Sequence, residues 1–205
     1  MQITLTDTGK RYNREWIFRH FSFDFMPGRT YAITGPNGSG KSTLLQVVAG
    51  AILHSEGKID YYNSGNKTSI PTGDAYKKVS LATPYLELVE EMTASEMLAF
   101  HAGFKEFSHT AEEILSAVTL EKAAHKQIRY FSSGMKQRLK LGMAFFSKTP
   151  VLLLDEPTTN LDAEGIALYL HLIEKHSQGK LVIISSNDVD EYKFCEEVIS
   201  ISDYK

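Results

Sequence analysis

A chain of 205 residues can bury one substantial core, and a second independent domain would be cramped. Hydrophobic residues at 42% and charged residues at 23% are ordinary for a soluble globular protein, and a net charge of -3 carries no basic bias toward nucleic acid or anionic lipid, so no nucleic-acid partner is expected. Cys195 is the single cysteine, which excludes an internal disulfide and makes a reducing, cytoplasmic compartment the expectation.

The opening residues Met1–Lys10 alternate apolar and polar and carry no apolar core of a secretion signal. Ile3 and Leu5 alternate with threonines, and Phe21, Phe23 and Phe25 alternate with Ser22 and Asp24; both patterns predict strands. Pro27-Gly28 reads as a turn. Tyr31–Thr34 is a short apolar strand that runs into a glycine-rich loop, and a helix is predicted from about Lys41 to Ala49, ending at Gly50. Lys58–Tyr62 is a further strand, Asn63–Asp74 a polar loop and Val79–Ala82 another strand. From about Thr93 to Lys148 helical spacing takes over, as in Met97, Phe100 and Phe104 or Ile114, Leu115 and Val118. Strands return at Val151–Leu154, Leu181–Ile184 and Val198–Ile201, separated by helices at about Ala163–His176 and Val189–Phe194. Short, wholly apolar strands alternating with helices imply an α/β fold with a largely parallel sheet covered on both faces. None of the apolar runs approaches the roughly 20 residues that span a bilayer, so any membrane role would need another chain to supply the span.

Gly35-Pro36-Asn37-Gly38-Ser39-Gly40-Lys41-Ser42-Thr43 fits the phosphate-loop pattern G-x-x-x-x-G-K-[ST] in its required place, after a strand and opening a helix. Glycines let backbone N–H groups approach phosphate oxygens, and the helix N-terminus adds its positive dipole end. Lys41 is expected to reach the β- and γ-phosphates and Ser42 to ligate Mg²⁺. Val151–Leu154 ends in Asp155-Glu156-Pro157. Successive strand side chains point to opposite sides, which assigns the carboxylates different roles: Asp155 toward Mg²⁺, Glu156 toward the attacking water as general base. An acidic strand end is also a common surface turn.

Phe131-Ser132-Ser133-Gly134-Met135-Lys136-Gln137-Arg138 resembles the signature of ATP-binding cassette (ABC) ATPases, Leu-Ser-Gly-Gly-Gln followed by a basic Gln-Arg pair. It precedes Asp155 at the family's distance, Thr159-Asn160-Leu161-Asp162 looks like the D-loop, and Lys10-Arg11-Tyr12 resembles the A-loop, whose aromatic stacks on adenine. The resemblance covers nearly the whole chain. It implies a phosphate-loop NTPase core of mixed sheet, about residues 1–82 and 149–205, with an inserted helical subdomain at about 83–148. It also implies a head-to-tail dimer, of two copies or of paralogues, with ATP between one subunit's phosphate loop and the other's Ser132, Ser133 and Gly134. Trp16 and Phe18 remain alternatives to Tyr12. Lys136, Arg138 and Lys140 crowd the first turns of the signature helix, where cations oppose its dipole and a polyphosphate nearby would ease the mismatch.

Two positions depart from the family pattern. Pro84 stands at or next to the Q-loop glutamine, with Glu87 the nearest possible substitute. Asn187 stands where the switch histidine is expected; it can donate to a γ-phosphate but cannot carry an imidazole's proton, and it would also suit the N-cap of the following helix. The expectation is an ATP-hydrolysing subunit, peripheral to the cytoplasmic face of a membrane, that energises a separate transmembrane subunit docking near residues 85–104. A dimerising nucleotide switch with little hydrolysis, and a soluble cassette ATPase outside transport, are the alternatives.

Overall fold

A computed structural model describes residues 1–65 and 68–205. In chain order its strands are β1 (Gln2–Tyr12), β2 (Glu15–Phe25), β3 (Thr30–Thr34), β4 (Glu56–Tyr62), β5 (Ser69–Ile70), β6 (Val79–Ala82), β7 (Val151–Asp155), β8 (Leu181–Ser185) and β9 (Glu197–Ser200). Its α-helices are α1 (Lys41–Val48), α2 (Ala94–Ala102), α3 (Ala111–Ala117), α4 (Ser133–Phe146), α5 (Ala163–His176) and α6 (Val189–Tyr192).

The strands form two sheets: an antiparallel one in the order β2-β1-β4-β5 and a wholly parallel one in the order β6-β7-β8-β3-β9. Period-two alternation sorts the parallel sheet's side chains between two cores. Val79, Val151, Leu153, Leu181 and Ile183 face α1 and the antiparallel sheet, where they meet Leu44, Val48, Ile3, Leu5 and Phe21. Leu152, Leu154, Val182 and Ile184 face the other way and share a core with Leu98, Ile114, Leu139, Phe145 and Tyr169. Tyr31 of β3 joins the sheets: its ring meets Phe25 edge-on at 5.1 Å, and its hydroxyl accepts from the Met26 N–H. A run of sequence holding α2, α3 and α4 separates β6 from β7, and α2 and α3 each start on a reciprocal threonine–glutamate cap, Thr93 with Glu96 and Thr110 with Glu113.

Most element boundaries fall within a residue or two of the sequence reading, and α5 matches it at both ends. The segment read as a loop over 63–74 holds the short strand β5 and the start of a 3-10 turn, Thr72–Lys78; residues 66 and 67 of it lie outside the described residues. Of the helical set Met97, Phe100 and Phe104, Met97 alone is buried, and the two exposed rings pack on each other at 5.2 Å.

His101 of α2 lies against Phe107, ring to ring at 5.1 Å, with Nε2 3.2 Å from the Ser147 hydroxyl. Burial, and secondarily the nearby Lys105 ammonium, push its pKa from 6.5 down to about 4. Between those values the unfolded chain binds a proton that the folded chain refuses, so stability falls as pH drops. Urea unfolding of the wild type should lose stability from pH 6.5 toward pH 4, and His101→Gln should flatten that slope; equal slopes would remove His101 as the cause.

Candidate active site

The C-terminal ends of β3 and β7 meet at the mouth of the parallel sheet. After Thr34 the chain turns through residues 35–40 into α1. Gly40 is left-handed at φ 101°, and a Cβ there would sit 2.5 Å from Ile17 Cγ2, so both conformation and space require glycine. Lys41 Nζ donates to the carbonyls of Gly35 (2.8 Å) and Pro36 (3.3 Å), which holds the ammonium across the loop. A cavity of about 330 Å³ is lined by Asn37, Gly38, Ser39, Lys41, Ser42 and Thr43, and also by Ile17, Tyr85 and Glu156. The Ser39 hydroxyl is buried without a hydrogen-bond partner.

Asp155 ends β7 at 2% exposure. Its Oδ1 accepts from the Ser42 hydroxyl at 3.0 Å and its Oδ2 from the Thr83 hydroxyl at 3.2 Å. Charge-assisted bonds of this kind contribute about 1.5–3 kcal/mol each, which keeps a buried carboxylate tolerable. The next residue, Glu156, takes a left-handed conformation (φ 42°) and donates its N–H to Ser185 O at 2.8 Å. The turn aims Glu156 into the phosphate-loop cavity and into a second cavity of about 230 Å³ shared with Thr158, Thr159, Ser186, Asn187, Asp188 and Glu191. Asp155 and Glu156 thus diverge, as strand alternation predicts.

Glu191 went unread in the sequence. Its carboxylate is buried; Oε1 accepts from both the N–H (2.7 Å) and the hydroxyl of Thr158, two residues beyond Glu156, while Oε2 has no partner. Its carbonyl accepts from the Tyr169 hydroxyl at 2.7 Å, which ties α6 to α5.

Asn187 reaches the phosphate loop: Oδ1 accepts from Gly35 N–H at 3.2 Å and Nδ2 donates to Asn37 Oδ1 at 3.0 Å. It does not cap the following helix. Asp188 does, with its side chain accepting from Asp190 N–H, because the cap of α6 falls one residue later than the sequence suggested. Ser132 caps α4 through the Met135 N–H, with Ser133 and Gly134 in its first turn. A Cβ on Gly134 would lie 3.0 Å from the Asn160 carbonyl, so the opening of α4 and the loop after Glu156 touch within one chain. Neither Ser132, Ser133 nor Gly134 lines the phosphate-loop cavity.

The charged ends of the basic side chains of α4 find partners within the protein, contrary to the expectation of a mismatch awaiting polyphosphate, although Arg138 Nε is buried without one among the described residues. Lys136 pairs with Glu90, Arg138 with Thr119 (2.6 Å) and Asp162 (3.3 Å), and Lys140 with the Thr83 and Pro84 carbonyls. Glu87 lines a separate groove of about 640 Å³ with Pro84, Glu90, Glu91, Lys136 and Lys140, away from Asp155. Tyr12 is 48% exposed at the end of β1, with Lys10 Nζ 4.8 Å from its ring centre, and it does not line the phosphate-loop cavity. Of its two alternatives, Phe18 is core, and Trp16 carries the guanidinium groups of Arg11 and Arg19 within 5.2 and 4.5 Å of its ring.

The family model for ABC transporters matches residues 18–159, more than half the chain. The chain belongs to that family. It is an ATP-binding cassette ATPase, a phosphate-loop α/β fold. Linearmycin resistance ATP-binding protein LnrL of Bacillus subtilis (strain 168) is 30% identical over 95% of this chain, which spans 64% of that protein's length. Cytochrome c biogenesis ATP-binding export protein CcmA of Rhizobium etli is 32% identical over 97% of this chain and 94% of its own. The fold matches the solved dimeric cassette MJ0796, in a post-hydrolysis state bound to ADP and Pi, with TM-score 0.78 and 23% identity over 97% of this chain and 93% of that one.

The site's chemistry fits the groups the family implies. The glycine cradle, the unpartnered Ser39 hydroxyl and Lys41 suit a polyphosphate, and the Ser42 and Asp155 oxygens suit a hard cation such as Mg²⁺. Gly40→Ala should weaken binding of a fluorescent ATP analogue by about tenfold or more, because left-handed strain of about 1–3 kcal/mol adds to the clash with Ile17. Unchanged affinity would mean that the loop does not hold the phosphates.

Proposed function

We propose that this cassette hydrolyses Mg-ATP and energises a transporter whose membrane-spanning part is a separate subunit. The observation that carries the reading is the convergence of Lys41, Ser42, Asp155 and Glu156 on one mouth of the sheet, with Ser42 and Asp155 in direct contact at 3.0 Å. In this reading Lys41 holds the β- and γ-phosphates, the N–H groups of residues 37–43 cradle them, and Glu156 accepts a proton from the attacking water. Ser42 and Asp155 would hold Mg²⁺, which when bound neutralises charge building on the phosphates. Asn187, tied to Gly35 and Asn37, steadies the loop and can offer its amide to the γ-phosphate.

The core lobe is read as about 1–82 and 149–205, and the helical subdomain as about 83–148. Ser132, Ser133 and Gly134 would serve the ATP of a second copy or a paralogue in a head-to-tail dimer, as the dimeric state of MJ0796 suggests. Tyr12 is the adenine-stacking residue in this reading; its exposed ring at the end of β1 leaves it free to meet a base. No described helix is long and apolar enough to cross a membrane, which suits a peripheral, cytoplasmic subunit. The 640 Å³ groove between residues 84–91 and α4 is the docking surface for the membrane partner.

A nucleotide switch with little turnover is the second reading, because the Asn187 amide is engaged on both sides and carries no titratable proton. Phosphate release and ATP-driven dimerisation, measured for wild type beside Glu156→Gln, separate the two. The motor reading expects the variant to lose about 100-fold or more in release and to accumulate as an ATP-bound dimer. Equal, negligible release from both, with membrane extract present, would establish the switch.

A further inference from the structure

Residues 83–85 form a thin wall with a cavity on each side. Tyr85 lines the phosphate-loop cavity, and Pro84 lines the 640 Å³ groove together with Lys136 and Lys140. Thr83 is buried at 5% exposure, and its hydroxyl is used in both directions: it donates to Asp155 Oδ2 at 3.2 Å and accepts from Tyr85 N–H at 3.4 Å. Its rotamer is therefore set by the backbone of its own turn, and it presents one hydrogen to one carboxylate oxygen. The other oxygen of that carboxylate is taken by Ser42.

The wall itself is held from α4. Lys140 is buried at 7% exposure and makes no ion pair among the described residues; its ammonium donates to two successive carbonyls, Thr83 O at 3.2 Å and Pro84 O at 2.7 Å. Burial, with Lys136 adding, depresses its pKa, so the position costs charge stability. Aliphatic packing alone would not need a cation there. What the ammonium does is fix two adjacent peptide carbonyls, and with them the Thr83 side chain, against the helix that starts at Ser133.

We propose that Thr83 and Lys140 are a positioning pair for the hydrolytic site: the Thr83 hydroxyl sets the orientation of Asp155 toward the metal, and Lys140 fixes Thr83 relative to α4. The pair does this across a loop with no side-chain amide, since Pro84 occupies its centre. Neither residue lines the phosphate-loop cavity. The inference rests on the reading that the site binds Mg-ATP, and it adds residues through which the position of α4 reaches the metal carboxylate.

The test uses the full chain in a Glu156→Gln background, so that binding is read without turnover. Mg²⁺ is titrated against a fluorescent ATP analogue for the parent, Thr83→Val, Thr83→Ser, Lys140→Met and the Thr83→Val/Lys140→Met double variant, with thermal midpoints recorded for each. Mg²⁺-dependent tightening in the parent reports on the functional reading alone; the variants report on the pair. Thr83→Val should raise the half-saturating Mg²⁺ concentration about tenfold, the loss of one hydrogen bond to a charged group. Thr83→Ser should restore it, and Lys140→Met should move it in the same direction by a smaller factor. The double variant should be no worse than Thr83→Val, because the lysine acts through the threonine. An unchanged Mg²⁺ requirement in Thr83→Val, or Thr83→Val and Lys140→Met effects that multiply as independent, would overturn the proposal; a lowered thermal midpoint with parental Mg²⁺ dependence would leave the two residues a purely structural role.

Discussion

A carboxylate buried at the end of a central strand is the constraint around which the rest is arranged. Asp155 sits at 2% exposure, and a charge there is tolerable only if both oxygens find donors. Ser42 and Thr83 supply them from opposite sides. Ser42 can reach only because the phosphate loop turns straight into α1, and Thr83 only because β6 pairs beside β7 in parallel register, Ala82 opposite Leu154. Satisfying one charge therefore fixes where α1 begins and where the loop after β6 passes. It also leaves Glu156, one residue further, to turn away from the strand into the open cavity.

The parts of this arrangement legible in the sequence are those encoded over a few neighbouring residues. A left-handed turn before a helix demands glycine, so Gly35 to Thr43 announce both the loop and its chemistry. Apolar strands buried on both faces appear as unbroken runs, and the runs Val151–Leu154 and Leu181–Ile184 fall within a residue of β7 and β8. The supporting contacts were not legible, because they join residues far apart whose types are unremarkable. Thr83 and Asp155 are 72 positions apart, Lys140 and Thr83 are 57 apart, and Glu191 and Thr158 are 33 apart. Nothing local distinguishes Thr83 from any other threonine after a strand. Asn187 left two readings open for a related reason: asparagine and aspartate are both good caps, and only the path of the chain decides that Asp188 caps α6 while Asn187 reaches the phosphate loop.

The same economy organises the segment after β7. Glu156 enters a left-handed conformation that costs on the order of 1 kcal/mol or more for a side chain, so its surroundings must hold it. Ser185 takes its N–H, and Glu191 takes the N–H and hydroxyl of Thr158 just beyond. Further along, the Asn160 carbonyl lies close against Gly134, where a methyl group would sit only 3.0 Å away. The loop carrying Glu156 is thus clamped by β8, α6 and α4 together, and the geometry of one end of α4 is set partly by the far side of the site.

The strand order has a consequence for how such a chain is made. The strand that feeds the phosphate loop, β3, lies between β8 and β9 and pairs with residues 182–185 on one edge and 197–200 on the other. During synthesis from the ribosome, β1 and β2 can close as a local ribbon early, but β3 has neither neighbour until residues 181–200 have begun to emerge. Over that stretch of translation the apolar strand that feeds the phosphate loop waits with two open edges, the kind of segment that invites wrong partners. Completion of the sheet around the phosphate loop therefore waits on β8 and β9, however early the loop itself is made.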